Sequence, residues 1–311
     1  MDSNRPQPMA WKAALLRRLG IPTQLSELAE QARRLEGARP LFVLGTPRSG
    51  TTLLARLLDA HPAAFVTNEN GALVQMHYAI HAMRARRPAG LPYEIESKEF
   101  HDEWAEWLDV LVPILVRGFY ARLAGPARTA TLRLWGDKHP HFDQCLPSLL
   151  RWFPQARYVY IVRHPLDVIC SIAAMNRWDR AEAFEHWKLI TEGYERQVAA
   201  IPDPALYVLR YEDLVGKLRA TLEGIFHWLA LDTAEETFQA MTELATIPAH
   251  ALVRTADGSD TARAPEATRM QGSGAGRWRE AMGAEEAAGY MRETHGFIEK
   301  YYPELVTPRG A

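Results

Sequence analysis

Gly45 and Gly50 frame the turn Gly45-Thr46-Pro47-Arg48-Ser49-Gly50-Thr51-Thr52, behind the apolar run Leu41 to Leu44 and ahead of Leu53-Leu54. Strand, tight turn and helix in that order aim several backbone N–H groups, together with the positive end of a helix dipole, at one point. The chemistry that suits such a turn is the binding of a phosphorylated anion. In the triphosphate loop G-x-x-x-x-G-K-[ST], the lysine reaches the β/γ-phosphates and the hydroxyl residue holds magnesium. Here Thr51 takes the lysine position and the cation is Arg48, inside the loop. The pattern points to a short terminal anion rather than ATP.

A second anion site is written at Arg163-His164-Pro165, which follows the clearest strand, Tyr158 to Val162. Many nucleotide triphosphatases end the equivalent strand in a magnesium-binding aspartate. This one ends in arginine, and Pro165 opens a helix on which Ser171 shares the junction with Arg163. Two polar clusters also sit at expected strand ends, where open parallel sheets place ligand chemistry. Asn68-Glu69-Asn70-Gly71 follows a strand over 64–67, and Gly136-Asp137-Lys138-His139-Pro140-His141 follows one over 131–135. Read from residue type alone, Glu69 is a base or a carboxylate complementing the next helix dipole. Lys138 is a surface lysine or a partner of Asp137. His139 and His141 suit base chemistry by their ordinary pKa, and their spacing lacks the helical geometry of a zinc protease motif. His61 and His164, each before proline, read as structural.

The elements that must position these groups follow from periodicity. Helices are expected over 21–35, from Leu53 to the stop at His61-Pro62, and over 72–87, 97–123, 142–153 and 181–199, with Pro113 dividing the fourth. A last strand, Leu206 to Arg210, runs into Tyr211-Glu212-Asp213-Leu214. Strands alternating with helices predict a parallel sheet covered on both faces. The pattern dissolves over 246–276, and its Gly, Ser, Ala and charge content from Asp257 reads as a mobile lid or a disordered loop, with order returning at Arg277-Trp278. Trp11 to Leu19, with Lys12, Arg17 and Arg18, reads as an N-terminal helix packed on the body or, as the alternative, a basic amphipathic piece that touches a membrane surface or a partner. The aromatic residues from Trp104 to Tyr120 and from Trp178 to Trp187 supply core or an acceptor wall.

With 311 residues, 47% of them hydrophobic, and a net charge of −2, the chain can bury a large core and carries no basic footprint for nucleic acid. Two cysteines, Cys145 and Cys170, make no disulfide framework, and no long apolar run spans a bilayer. A cytoplasmic location is expected.

Taken together, Thr46 to Thr52, Arg163 to Ser171, Arg210 to Leu214 and Arg277-Trp278 resemble the motifs of sulfotransferases that use 3′-phosphoadenylyl sulfate (PAPS). The resemblance covers most of residues 40–280, and the Pro-Arg-Ser-Gly-Thr-Thr loop is similar to that of tyrosylprotein sulfotransferases and related bacterial enzymes. It implies a P-loop-type three-layer α/β/α fold with a central parallel sheet, one domain over 1–311, an N-terminal helical extension over 1–39 and a lid loop over 246–280. It implies that Arg48, Ser49, Gly50, Thr51 and Thr52 bind the 5′-phosphosulfate end, while Arg163 and Ser171 bind the 3′-phosphate. Tyr211 and Arg277 would contact the nucleotide. Glu69 would be the general base and Lys138, with Arg48, would stabilise the leaving group. His139 and His141 remain competing bases. The basic residue that the family carries beyond Ser171 is absent: Met175 stands there, followed by Arg177. No metal is expected, the donor leaves as 3′,5′-ADP (PAP), and the acceptor is a small-molecule or peptidyl hydroxyl. A homodimer is compatible. A kinase-like phosphotransferase or a non-catalytic nucleotide-binding module is the alternative.

Overall fold

In the computed structural model the described residues are 23–85, 98–245, 252–254, 260–262 and 274–306. The first helix, α1 (Thr23–Arg34), packs on the long helix α4 (Lys98–Thr129), where Gly118 lies so close to Leu28 that a Cβ would meet its side chain at 2.3 Å. Between them come β1 (Arg39–Leu44), α2 (Thr51–Asp59), β2 (Ala64–Asn68) and α3 (Ala72–Ala85). After α4 the chain forms β3 (Leu134–Lys138), α5 (Phe142–Trp152), β4 (Arg157–Val162), α6 (Pro165–Asn176), α7 (Arg180–Val198) and β5 (Leu206–Arg210). Short helices follow: α8 (Tyr211–Gly216), α9 (Leu218–Trp228), α10 (Glu235–Ala245), α11 (Trp278–Ala281), α12 (Ala284–Glu293) and α13 (His295–Tyr301).

The five strands pair in parallel in the order β2-β3-β1-β4-β5. Their side chains alternate between two buried clusters, as a period of two requires. Leu41, Val43, Val159 and Ile161 face α2, α9 and α10, while Phe42, Leu44, Tyr158 and Tyr160 face the layer of α3 to α5 and α7. The sheet is therefore covered by helices on both sides, as expected. Every strand delivers its carboxyl end to the same edge, where the candidate residues lie.

Three boundaries differ from expectation. The third strand runs over 134–138 rather than 131–135, so Gly136, Asp137 and Lys138 are in the sheet, fully buried, rather than beyond it. The reason is local: a Cβ on Gly136 would lie 1.7 Å from the Leu41 carbonyl oxygen, so only glycine lets β3 approach β1. The long helix is not divided at Pro113, which has helical neighbours; its non-helical residue is Gly125 (φ 77°, ψ 160°), immediately before Pro126. Within 246–276, the segments Leu252–Arg254 and Asp260–Ala262 form a short antiparallel pair. The N-terminal piece 11–19, and the rest of the expected lid before 274, lie outside the described residues.

Candidate active site

The turn after β1 closes as expected. Ser49 N donates to Thr46 O (3.1 Å), and Gly50 takes a left-handed conformation (φ 94°) at the N-cap of α2 with no side-chain cap on the helix. The first N–H groups of α2 thus keep their donor capacity at the turn. Gly50 is required here, because a Cβ would fall 2.4 Å from the Tyr211 ring that floors the turn. Ser49 and Thr51 are buried, whereas Thr52 is half-buried. Thr46 Oγ1 and Thr191 Oγ1 share a buried hydrogen bond (2.8 Å), locking the turn to α7.

Arg48 has a left-handed backbone (φ 73°), and its Nε donates to Ser171 Oγ at 3.0 Å. Arg163 joins the same assembly: Nη1 donates to Arg48 O (2.9 Å), Nη2 to Gly274 O (2.5 Å), and the guanidinium lies 4.5 Å over the Tyr211 ring. Desolvation by the protein around it, then the charge of Arg163, lower the pKa of Arg48. Two cations held this close favour an anion between or beside them. Burial raises the Tyr211 pKa, and the charges of Arg163 and Arg277 oppose that rise, so Arg277 acts electrostatically on the same ring. Arg277 itself is exposed at the start of α11.

Glu69 leaves β2 in a left-handed conformation (φ 59°), and its N–H donates to Lys138 O (2.7 Å). Its carboxylate pairs with the Lys138 ammonium. The Glu69 side chain is 46% exposed and that of Lys138 only 2%, so the pair has one face in water and one in the protein. Lys138 therefore partners Glu69, while Asp137 accepts from Thr67 Oγ1 (2.7 Å). Burial lowers the Lys138 pKa and its bond to Glu69 opposes the drop. His139 and His141 follow directly, with rings 5.6 Å apart, and burial lowers the pKa of His139. His61 is structural: Nδ1 accepts from Ala63 N and Nε2 meets Asp232 O. His164 stacks on Trp278 (5.5 Å, 9°), and burial pushes it down to about 4.

Several site residues are not evident from periodicity. Asp167, in the first turn of α6, accepts from Gly276 N (2.6 Å) and Trp278 N (3.0 Å), and so tethers the returning C-terminal segment beside Arg163. Its signal is an acid one helical turn after Arg163. Asn70 and Tyr120 form a buried network with Thr67 and Asp137, which only pairing of distant segments reveals. Of the expected aromatic wall, Tyr120 and Trp187 are buried, whereas Trp178 is 40% exposed and its ring meets His186 at 5.3 Å. Met175 is exposed, and Arg177 caps α6 in a left-handed conformation. No helix of the described residues is long and apolar enough to cross a membrane.

Comparison with known proteins gives the family and the fold. A family model described as "Sulfotransferase family" matches residues 40–236. A curated protein of Aquifex aeolicus with no assigned function is 27% identical over 209 residues, 58% of this chain and 26% of that one, so the match spans about a quarter of that relative. The sulfotransferase domain of the Synechococcus PCC 7002 olefin synthase superposes with a TM-score of 0.52 at 23% identity, over 84% of this chain and 95% of that domain. Mouse sulfotransferase SULT7A1, complexed with PAP, superposes with a TM-score of 0.50 at 14% identity, over 88% of each chain. Both likenesses are in fold.

Proposed function

The chain belongs to the sulfotransferase family, and on that premise we propose that it transfers the sulfuryl group of PAPS to an acceptor hydroxyl. The turn at 48–52 and the N-terminus of α2 hold the 5′-phosphosulfate, and Arg163 with Ser171 holds the 3′-phosphate. Tyr211 lies against the nucleotide and Arg277 adds charge from the C-terminal segment. Glu69 takes the proton of the acceptor hydroxyl as its oxygen attacks sulfur in line. The sulfur–oxygen bond to the phosphate breaks, and PAP leaves with its new charge facing Arg48 and Lys138. Lys138 holds Glu69 ready on the edge of the site.

The observation that carries this reading is the hydrogen bond from Arg48 Nε to Ser171 Oγ, which joins two anion-binding motifs 123 residues apart. A donor with phosphates at both ends matches that joint. The complex of the mouse relative with PAP supports the same donor. The test is PAP formation from PAPS without added divalent cation, in the presence of hydroxylated acceptors. Glu69→Ala is expected to lower turnover by about 10²- to 10⁴-fold while leaving PAP affinity within about twofold of the wild type. Turnover intact in Glu69→Ala would move the base to His139 or His141.

A further inference from the structure

Under the Glu69–Lys138 pair lies a polar chain that the transfer chemistry does not itself use. Asn70 Nδ2 donates to Thr67 Oγ1 (2.6 Å) and to the Tyr120 hydroxyl (2.7 Å), while Asn70 Oδ1 accepts from Ala72 N (2.9 Å). Thr67 Oγ1 donates onward to Asp137 Oδ1 (2.7 Å) and makes a longer contact to Gly136 O (3.2 Å). Thr67 and Asp137 are register partners on β2 and β3, so this bond crosses the sheet at the last pair before Asn68 and Lys138. Asp137, Thr67 and Tyr120 are all buried, and Asp137 Oδ2 is a buried oxygen with no hydrogen-bond partner.

Such a carboxylate is expensive to keep in an apolar layer. Lys138 forms its ion pair with Glu69, and its charge, together with the Thr67 hydroxyl and the Asn70 and Lys138 N–H groups, offsets only part of that cost. What the chain does achieve is direction. An ionised Asp137 can only accept, so Thr67 must point its proton inward and present its lone pair to Asn70. Asn70 is then fixed in the turn that holds Glu69 at φ 59° and Gly71 at φ 75°.

We propose that Asp137 is a positioning residue for the transfer reaction, orienting Thr67 and Asn70 so that the 68–71 turn keeps the Glu69 carboxylate on Lys138 and facing the acceptor. This rests on the reading of Glu69 as base. Burial, against the bond from Thr67, raises Asp137 to about 7. The titratable groups facing it are Lys138 on its own strand, Tyr120 from α4 and Cys145 from α5, the last two also raised by burial. Both charge states of Asp137 are thus accessible near neutral pH, and the ionised state is the one that fixes the chain. Turnover is accordingly expected to rise with pH through this range.

The test compares Asp137→Asn, Thr67→Val and Thr67→Ser with the wild type, measuring PAP formed from PAPS with 4-nitrophenol as probe acceptor, water-dependent hydrolysis included. Asp137→Asn and Thr67→Val are each expected to lower kcat by about 10- to 100-fold and to flatten the pH dependence near neutrality, with PAP affinity unchanged by titration calorimetry. The double variant is expected to be no slower than the worse single one, as for groups acting through one chain. Thr67→Ser, which keeps the hydroxyl, restores turnover relative to Thr67→Val. Wild-type kcat and pH profile in folded Asp137→Asn would overturn the proposal. If that variant does not fold, wild-type kcat and pH profile in Thr67→Val would do so. A Glu69→Gln variant separates the two claims: full turnover there removes the base assignment itself, whereas an inactive Glu69→Gln beside a fully active Asp137→Asn removes only the positioning role.

Discussion

Arg48 and Glu69 are two of the four non-glycine residues with left-handed backbone among the described residues, and both carry proposed transfer chemistry. Each such conformation costs on the order of 1 kcal/mol or more and persists where its surroundings enforce it. Ser171 and Arg163 hold Arg48, while Lys138 holds Glu69 by both its carbonyl and its ammonium. Lys138→Met is expected to lower turnover by about 10²-fold or more, with PAP affinity changed far less, as read by kinetics beside calorimetry. A second prediction concerns stability. A carboxylate raised to about 7 in the fold, against about 3.9 unfolded, leaves the folded state holding the extra proton between those values. Its contribution therefore makes stability fall as pH rises from about 4 to about 7, by at most about 4 kcal/mol. Asp137→Asn removes that slope, so its denaturant midpoint should gain on the wild type with rising pH; a constant difference across the window would contradict this. The candidate residues themselves were legible because glycine spacing, an arginine at a strand end and a serine on the next helix are local signals. Asp137 was not, because its partner lies on another strand.

The strand–turn–helix unit β1, 45–50 and α2 and the unit β4, 163–164 and α6 were readable as elements, since apolar runs meet Gly or Pro at their ends. The third strand was displaced by three residues in that reading. Hydropathy ends it at Trp135, yet Gly136 permits close approach and Asp137 and Lys138 find partners, so pairing continues. In the long helix, Pro113 is absorbed and the break falls at Gly125, where a positive φ precedes Pro126. Gly50→Ala is the test at this scale. The added methyl strikes the Tyr211 ring and strains φ 94°, so a loss of about 1–3 kcal/mol in stability and weaker PAP binding are expected together in melts and calorimetry. Unchanged values for both would show that the turn is looser than described.

Across the whole molecule, the sheet edge collects groups from residues 48 to 278 and the C-terminal segment is fastened to it by Asp167. Arg163 adds a second tie beside it, donating to Gly274 O. Asp167→Ala is expected to weaken PAP binding by about tenfold while leaving the sheet and its core intact by circular dichroism. This long-range clip had no signature in composition, which offered only net charge and the gap in periodicity over 246–276. The central claim is that the joined anion sites take a nucleotide with phosphates at both ends rather than a triphosphate. Isothermal titration with PAP and with ATP, both without magnesium, tests it most directly. The account predicts that PAP binds at least tenfold more tightly and that Arg163→Ala abolishes the preference; ATP binding as tightly as PAP, or more tightly, would contradict it.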